Sequence, residues 1–301
     1  MKLPAAPEAP RASIIIRAFN ESHHLAGVLS RVARQSIRDF EVILVDSGST
    51  DNSVEIARRA GARIVKIDKS EFTFGRSLNH GCEAARGEAL VFLSGHCYPM
   101  NSRWLESLLA PFDDQSIGLV YGKQRGGRTT KFSEHSHFAK SFPGRSAIPQ
   151  KGFFCNNANC AIRTSLWRQR PFDETLTGLE DLDWAKWLVS RGGRVGYQSR
   201  AGVIHVHDES WPQVFRRYER EAIALRHIIP DLRLSLPDFL RHFMHSTMLD
   251  AKRAGRGGLT PSLLHQIVAF RFMQYWGSYR GAHFHRPLTQ EIKEKFFYPH
   301  K

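Results

Sequence analysis

The stretches SIIIRAFNE (residues 13–21) and FEVILVDSGSTDN (residues 40–52) decide the fold class. Residues 13–16 form a short apolar run of the kind found in a strand buried on both faces. Leu25, Val28, Leu29 and Val32 then fall at helical spacing. Residues 40–45 read as a second strand, which ends in a turn over 46–52 that also caps a helix over 52–60. The alternation continues with a strand at 62–67, a helix at 76–86, a strand at 89–93, a helix at 101–110 and a strand at 117–121. Such regular alternation predicts an α/β domain with a mostly parallel sheet and helices on both faces. Ligands of such sheets bind beyond the carboxyl ends of the strands. That rule gathers Asn20, Asp46 and Ser94-Gly95-His96 on one rim.

Beyond residue 122 the period stops. Residues 123–152 are rich in Gly, Arg, Lys, Ser and Phe, and a structureless insert of that length reads as a functional loop or lid. Residues 153–167 read as a strand followed by a turn of helix. Residues 181–190 read as a helix that starts at an acidic cluster, and 194–207 as a strand ending in His205-Val206-His207. From 211 on, the chain looks helical: Phe239, Leu240, Phe243, Met244, Thr247 and Met248 fall at helical spacing, as do Leu263, Leu264, Ile267, Val268 and Phe272. The expected organisation is a flexible lead over 1–11, an α/β domain over 12–210, and a basic, amphipathic helical extension over 211–301.

Bulk properties narrow the class. The 301 residues are 42% hydrophobic and 24% charged, which sets aside disordered and fibrous chains. Lys and Arg number 43 against 29 Asp and Glu, a net +14. That excess favours anionic partners: nucleic acid, acidic membrane or phosphorylated substrates. Cys82, Cys97, Cys155 and Cys160 contain no C-x-x-C pair, so no zinc ribbon or thioredoxin motif is indicated. The first ten residues lack the apolar core of a secretory signal, and no apolar run is long enough to span a bilayer. The expected compartment is the reducing cytoplasm.

Several motifs together resemble one family. The two opening stretches are followed in order by Gly75-Arg76-Ser77-Leu78-Asn79-His80-Gly81, Ala85-Arg86-Gly87-Glu88 and Val91-Phe92-Leu93. Then come Asn159-Cys160-Ala161-Ile162-Arg163, Pro171-Phe172-Asp173-Glu174 and Glu180-Asp181-Leu182-Asp183-Trp184. Over residues 12–210 this ordered set resembles family 2 glycosyltransferases of the GT-A (Rossmann-like) fold, of the bacterial polysaccharide type. The resemblance implies a nucleotide-sugar donor held by Asn20, Glu21, Asp46, Arg76, Ser94 and His96. A strand-end carboxylate such as Asp46 accepts hydrogen bonds from a base or ribose; Asp51, directly before the helix, suits capping better. Arg76 has the geometry for two hydrogen bonds to a base or diphosphate, and its bland alternative is a solvated helix arginine.

The E-D-x-D pattern resembles the family's catalytic motif. It implies that Asp181 is the base that takes the acceptor proton in an inverting transfer, with Glu180 positioning it or the acceptor. Both acids also suit the start of a helix, whose dipole is expected to keep Asp181 ionised. One departure stands out. Where the family carries an acidic D-x-D-type motif for a divalent ion, this chain reads Leu93-Ser94-Gly95-His96-Cys97-Tyr98-Pro99. Either His96 is a metal ligand, with His205 or His207 at i and i+2 on one strand face, or cations such as Arg76, Lys123 or Arg125 stabilise the leaving diphosphate. Imidazole suits Mn or similar ions better than Mg.

The expected function is an inverting transfer of a sugar from a nucleotide sugar to a hydroxyl of a glycan or lipid-linked glycan, in bacterial surface polysaccharide synthesis. The alternatives are a degenerate relative that binds a nucleotide sugar or a partner without turnover, and a nucleotidyltransferase. The last normally opens on a Gly-rich phosphate loop, a place held here by Arg17-Ala18-Phe19-Asn20-Glu21. Lys123, Arg125, Arg128, Lys131 and Arg145 are candidate phosphate contacts on the expected lid. The basic extension either contacts the cytoplasmic face of the inner membrane or packs on the catalytic domain. No nucleic-acid-binding signature is present, so no nucleic-acid partner is expected.

Overall fold

The computed structural model describes residues 2–5, 7–285, 292, 296 and 297, and it divides into two compact units. The first comprises residues up to 125, 142–175 and 180–206; the second comprises 126–141, 176–179 and the chain from 207 on. The second unit therefore takes in more than the 211–301 extension set apart in the sequence. In chain order the elements are β1 (Ala12–Ala18), α1 (Ser22–Val32), β2 (Phe40–Asp46), α2 (Ser53–Ala60), β3 (Arg63–Lys66), α3 (Phe74–Glu83), β4 (Ala89–Ser94), β5 (Cys97–Pro99), α4 (Trp104–Leu109), β6 (Ile117–Gly126), α5 (Phe132–Ser141), β7 (Asn159–Arg163), α6 (Thr164–Gln169), α7 (Glu180–Ser190), β8 (Arg194–His205), α8 (Trp211–Ile228), α9 (Leu236–Gly255) and α10 (Pro261–Ala282).

The first unit is built on an eight-stranded sheet of order β3-β2-β1-β4-β7-β6-β8-β5. The four strands β3, β2, β1 and β4 are parallel neighbours. Past β4 the pairing changes: β7 runs antiparallel to both β4 and β6, and β5 runs antiparallel to β8. The sheet is therefore mixed. The expected parallel arrangement holds only up to β4, because a fully buried apolar run reads the same whichever way its strand points. Ile14 and Ile16 of β1 belong to the core cluster that includes Leu25, Val28 and Leu29 of α1 and Trp104 and Leu105 of α4. Ile15 faces the other side, where Gly81 lets α3 come so close that a Cβ there would lie 2.6 Å from the Ile15 side chain. The described part of the N-terminal lead is tied down: Leu3 packs against the core, and its N–H donates to Ala60 O at 2.8 Å.

Register then sets the functional rim. Arg17 pairs with Val45 and Ser94, and Ala18 with Asp46, so these residues end neighbouring strands at one level.

The second unit is helical. On α10, Gly277 and Gly281 are one turn apart, and a Cβ at either would lie 2.5 Å from Phe215 O or 2.2 Å from Glu219 O. Glycine is what lets α10 lie against the backbone of α8. The buried pair Arg271–Asp250, 2.7 Å apart, ties α10 to α9, and Arg271 Nη2 also donates to Ser133 O of α5. Residues 123–152 are thus not a structureless insert: β6 runs on to Gly126 and α5 follows. The buried face of α5 includes Ser133 and Glu134, so no apolar period betrays it. Glu134 is held there by His207 and Arg217, each at 2.6 Å. Among the described residues no helix is long and apolar enough to cross a membrane. The expected helical reading beyond 285 falls outside the described residues, save 292, 296 and 297.

Candidate active site

The loop after β1 is sewn to the loop after β2. Asn20 N–H donates to Ser49 Oγ at 2.9 Å, and Asn20 Oδ1 accepts from Thr50 N–H at 2.8 Å. Asn20 adopts a left-handed φ of 56°, a conformation Asn tolerates better than most residues. Glu21 N–H donates to Ser53 Oγ, and Ser22 N–H to Asp51 Oδ2. Asp51 also accepts from Ser53 N–H. These bonds outweigh its burial and hold its carboxyl down at about 2. Asp51 is the helix-start acid, as its position suggested. Asp46 is nearly buried and folds its own loop by accepting from the N–H groups of Gly48 and Ser49.

Glu180 and Asp181 open α7, directly after Leu179 with its left-handed φ of 58°. Both carboxylates are buried. Glu180 Oε1 lies 3.5 Å from Arg17 Nη1, which brings the helix start to the end of β1. Asp181 Oδ2 accepts from Asn157 N–H at 2.7 Å and Oδ1 from Leu182 N–H at 2.8 Å. The expectation that the helix start keeps Asp181 ionised is corrected here. Burial first, and then the charge of Glu180, push its carboxyl up to about 7, against the opposing hydrogen bonds and Arg17. A carboxyl poised near neutrality is suited to general-base work. Beside it, Asn157 is buried, and neither its Oδ1 nor its Nδ2 finds a partner among the described residues. A buried carboxamide left in that state costs free energy unless a ligand satisfies it.

His96 and His205 form the third feature. Their Nε2 atoms face each other at 3.1 Å and their rings are stacked. His96 Nδ1 is 2.8 Å from Glu21 Oε1, an atom that only accepts, so Nδ1 carries the proton. His205 Nδ1 is 2.8 Å from Gln124 Oε1. The Gln124 amide is oriented by Asn156 Oδ1, which accepts from both Gln124 Nε2 and Ala158 N–H, so His205 Nδ1 is also the protonated nitrogen. Each ring then turns its Nε2 toward the other, where a cation, a shared proton or, at His96, the Ser94 hydroxyl can engage the lone pair. Ring nitrogens oriented in this way by an acceptor on the far side are typical of metal-binding histidines. For metal–nitrogen bonds of ~2.1 Å, a tetrahedral ion sets its ligands about 3.4 Å apart, near the observed spacing. The donor set fits a divalent ion. β8 ends at His205, and His207 follows two residues on with its Nδ1 2.6 Å from Glu134.

The other expected residues are distributed as follows. Ser94 Oγ is 3.1 Å from His96 Nε2. Arg76, in the first turn of α3, is engaged by Glu174 at 2.8 Å and by Glu71 O. Lys123 and Arg125 lie on β6, and burial, then Arg125, lowers the Lys123 ammonium. Arg128 and Lys131 precede α5 in the second unit. Sequence reasoning missed Arg17, Gln124 and Asn157. Only for Arg17 was there a signal, a cation placed in the middle of an otherwise apolar strand end.

Comparison with known proteins identifies the family and the fold. The sequence profile of glycosyl transferase family 2 matches residues 13–174. The O-antigen chain rhamnosyltransferase RfbN of Salmonella typhimurium is 26% identical over 221 residues, covering 69% of this chain and 70% of the relative. The O-antigen chain rhamnosyltransferase WbaN of Salmonella anatum is 27% identical over 197 residues, 62% of each chain. Among solved structures, the mannosyltransferase PcManGT from Pyrobaculum calidifontis, in complex with GDP-Man and Mn2+, superposes with a TM-score of 0.58 at 17% identity, over 91% of this chain and 90% of that one. The glucosyl-3-phosphoglycerate synthase of Mycobacterium tuberculosis, in complex with Mn2+, uridine-diphosphate and glucosyl-3-phosphoglycerate, gives 0.56 at 20% identity, over 74% and 81%. At these identities the structures speak to the fold, which is GT-A. With a family profile that spans more than half of its length, laid over that fold, this chain belongs to glycosyl transferase family 2 and is a glycosyltransferase.

Proposed function

We propose that the chain is an inverting hexosyl- or deoxyhexosyltransferase that moves a sugar from a nucleotide sugar to a hydroxyl of a glycan or lipid-linked glycan. The names of the Salmonella relatives support a place in bacterial surface polysaccharide synthesis. The observation that carries the reading is Asp181, a buried carboxyl held near neutrality at the strand rim. Asp181 takes the proton of the acceptor hydroxyl as its oxygen attacks the anomeric carbon. The bond from that carbon to the diphosphate oxygen breaks, and the diphosphate leaves with the electron pair. Glu180, fixed by Arg17, positions the base. Asp46, Asn20 and Glu21 form the nucleoside end of the donor site through the loops they organise, with Arg76 and Ser94 beside them. Asn157 offers its unmatched amide to a sugar hydroxyl, which can both donate and accept.

His96 and His205 are the metal ligands in this reading, oriented by Glu21 and Gln124. When bound, a divalent ion such as Mn2+ supplies positive charge to the leaving diphosphate. The reading also places the enzyme in the cytoplasm, with its basic C-terminal region against the inner-membrane surface. The decisive experiment incubates the protein with a panel of nucleotide sugars and follows donor hydrolysis. Slow hydrolysis that disappears in Asp181→Asn, with donor binding kept, supports the assignment. Binding without any hydrolysis would instead favour a degenerate nucleotide-sugar-binding relative.

A further inference from the structure

The exposed apolar surface of this chain is gathered in one place. Among the described residues, 14 large apolar side chains remain exposed, and ten of them lie between Leu232 and Phe272 in the second unit. Single exposed leucines need no explanation, but a concentration like this marks an interaction surface. On α9, Leu236, Leu240, Met244 and Met248 follow one another four residues apart and form a ridge; Met248 is 71% exposed. On α10, Leu264, Val268 and Phe272 repeat the pattern. The Phe272 ring is 6.0 Å from Phe243 and 6.2 Å from Phe239, so it joins the second row to α9.

Basic residues outnumber acidic ones around this face. From Leu232 to His285 the sequence holds seven Lys and Arg against two Asp. Of the two, Asp250 is buried on Arg271, and Asp238 pairs with Arg241 at 2.7 Å, which leaves a basic excess. Arg241 and Lys252 fall beside Met248 on the helical wheel and border the ridge, and Arg253 and Arg256 follow them, all exposed. A second copy of the chain on this face would set cations against cations. An anionic lipid surface answers both features, because its acyl region takes the ridge and its headgroups take the cations. Methionine suits such a surface, being unbranched and able to adapt to irregular neighbours.

We propose that the α9–α10 face lies in the plane of an anionic bilayer, with Leu240, Met244, Met248, Leu264 and Phe272 inserted below headgroups that Arg241, Lys252 and Arg253 bind. This rests on the membrane contact given under the proposed function and adds apolar insertion to it.

The test is sedimentation of the full chain with vesicles of phosphatidylcholine alone or mixed with phosphatidylglycerol. The wild type is expected to bind the mixed vesicles. Met244→Ser/Met248→Ser and, separately, Arg241→Gln/Lys252→Gln/Arg253→Gln should each weaken that binding roughly tenfold. Leu264→Ser/Val268→Ser repeats the apolar arm on the other helix in case one pair disturbs folding. If both apolar pairs bind as the wild type does while the charge variant fails, insertion is wrong and only an electrostatic contact survives. If the wild type binds neither vesicle, both readings fall. A wild-type dimer by light scattering that Met244→Ser/Met248→Ser dissociates would assign the face to a second copy and overturn the proposal. Donor hydrolysis without vesicles should be unchanged in every variant, which separates this outcome from the fate of the glycosyl-transfer reading.

Discussion

Arg17 Nη1 lies 3.5 Å from Glu180 Oε1, so the first strand of the sheet and the helix that opens on Glu180 and Asp181 are tied by a cation and an anion largely out of water. Arg17 also stacks over Phe74, 4.8 Å from its ring. Arg17→Met is expected to leave Glu180 uncompensated beside Asp181 and to raise the Asp181 carboxyl further. Turnover at neutral pH should fall on the order of tenfold and recover in part at higher pH. Arg17→Lys should restore more of the rate than Met. A pH–rate profile of the three proteins is the measurement, and an unshifted profile in Arg17→Met would remove Arg17 from the mechanism.

Asp181→Asn should lower kcat by roughly 10²–10⁴, the usual worth of a general base. The same substitution should stabilise the protein at alkaline pH. The folded carboxyl titrates near 7, above its unfolded value of about 4. Its proton therefore favours the folded state. That contribution is complete below the unfolded value and is lost as pH rises through the folded one. Asparagine resembles the protonated acid at every pH. The Tm of Asp181→Asn should thus exceed that of the wild type by about 5 °C at pH 8 and match it near pH 4. Equal melting points at pH 8 would mean that Asp181 is not strained there.

The facing imidazoles predict ion-linked stability. Mn2+ should raise the Tm of the wild type by several degrees through mass action, EDTA should reverse the rise, and nucleotide sugar should add to it. His96→Ala and His205→Ala should each abolish the ion-dependent part. Glu21→Gln should only weaken it, because a glutamine can still accept from His96 Nδ1–H through its amide oxygen. A wild-type melting curve indifferent to both Mn2+ and EDTA would show that no ion is held between the rings.

Asn157→Ala separates ligand contact from packing. A carboxamide that only supported the fold would cost stability when removed. Here both polar atoms are buried without partners among the described residues, so the Tm of Asn157→Ala should equal or exceed that of the wild type. Turnover per bound donor should fall about tenfold, the loss expected for one hydrogen bond to a sugar hydroxyl. A lower Tm with unchanged kinetics would assign Asn157 to the scaffold instead.

Much of the fold was legible because buried strands and amphipathic helices carry their periods in their side chains. The apolar runs at Ile14–Ile16 and Val42–Val45 located β1 and β2, and the spacing of Leu25, Val28, Leu29 and Val32 located α1. Strand direction past β4 was not legible, since Cys160, Ala161 and Ile162 look alike read either way. Helix α5 was hidden because its buried face includes Ser133 and Glu134. At the candidate site, the resemblance pointed to Asp46 and Asp181, and both are buried at the ends of their elements. Gln124 and Asn157 were beyond reach, because their roles come from contacts across 81 residues to His205 and 24 residues to Asp181. The ionisation of Asp181 was misjudged because helix-dipole reasoning sees the end of the helix, and burial is a property of the whole unit.

The chain passes between its two compact units five times, at 125/126, 141/142, 175/176, 179/180 and 206/207. No single cut releases either of them. A truncation at residue 210 would leave α5 without α8 to α10, stranding the Glu134 carboxylate without Arg217 and Ser133 O without Arg271. The helical unit is thus not a detachable tag that evolution or an engineer could trade for another. Any change to what this unit does has to be made by substitution within the interleaved segments, and chimeras joined near residue 210 are expected to be insoluble.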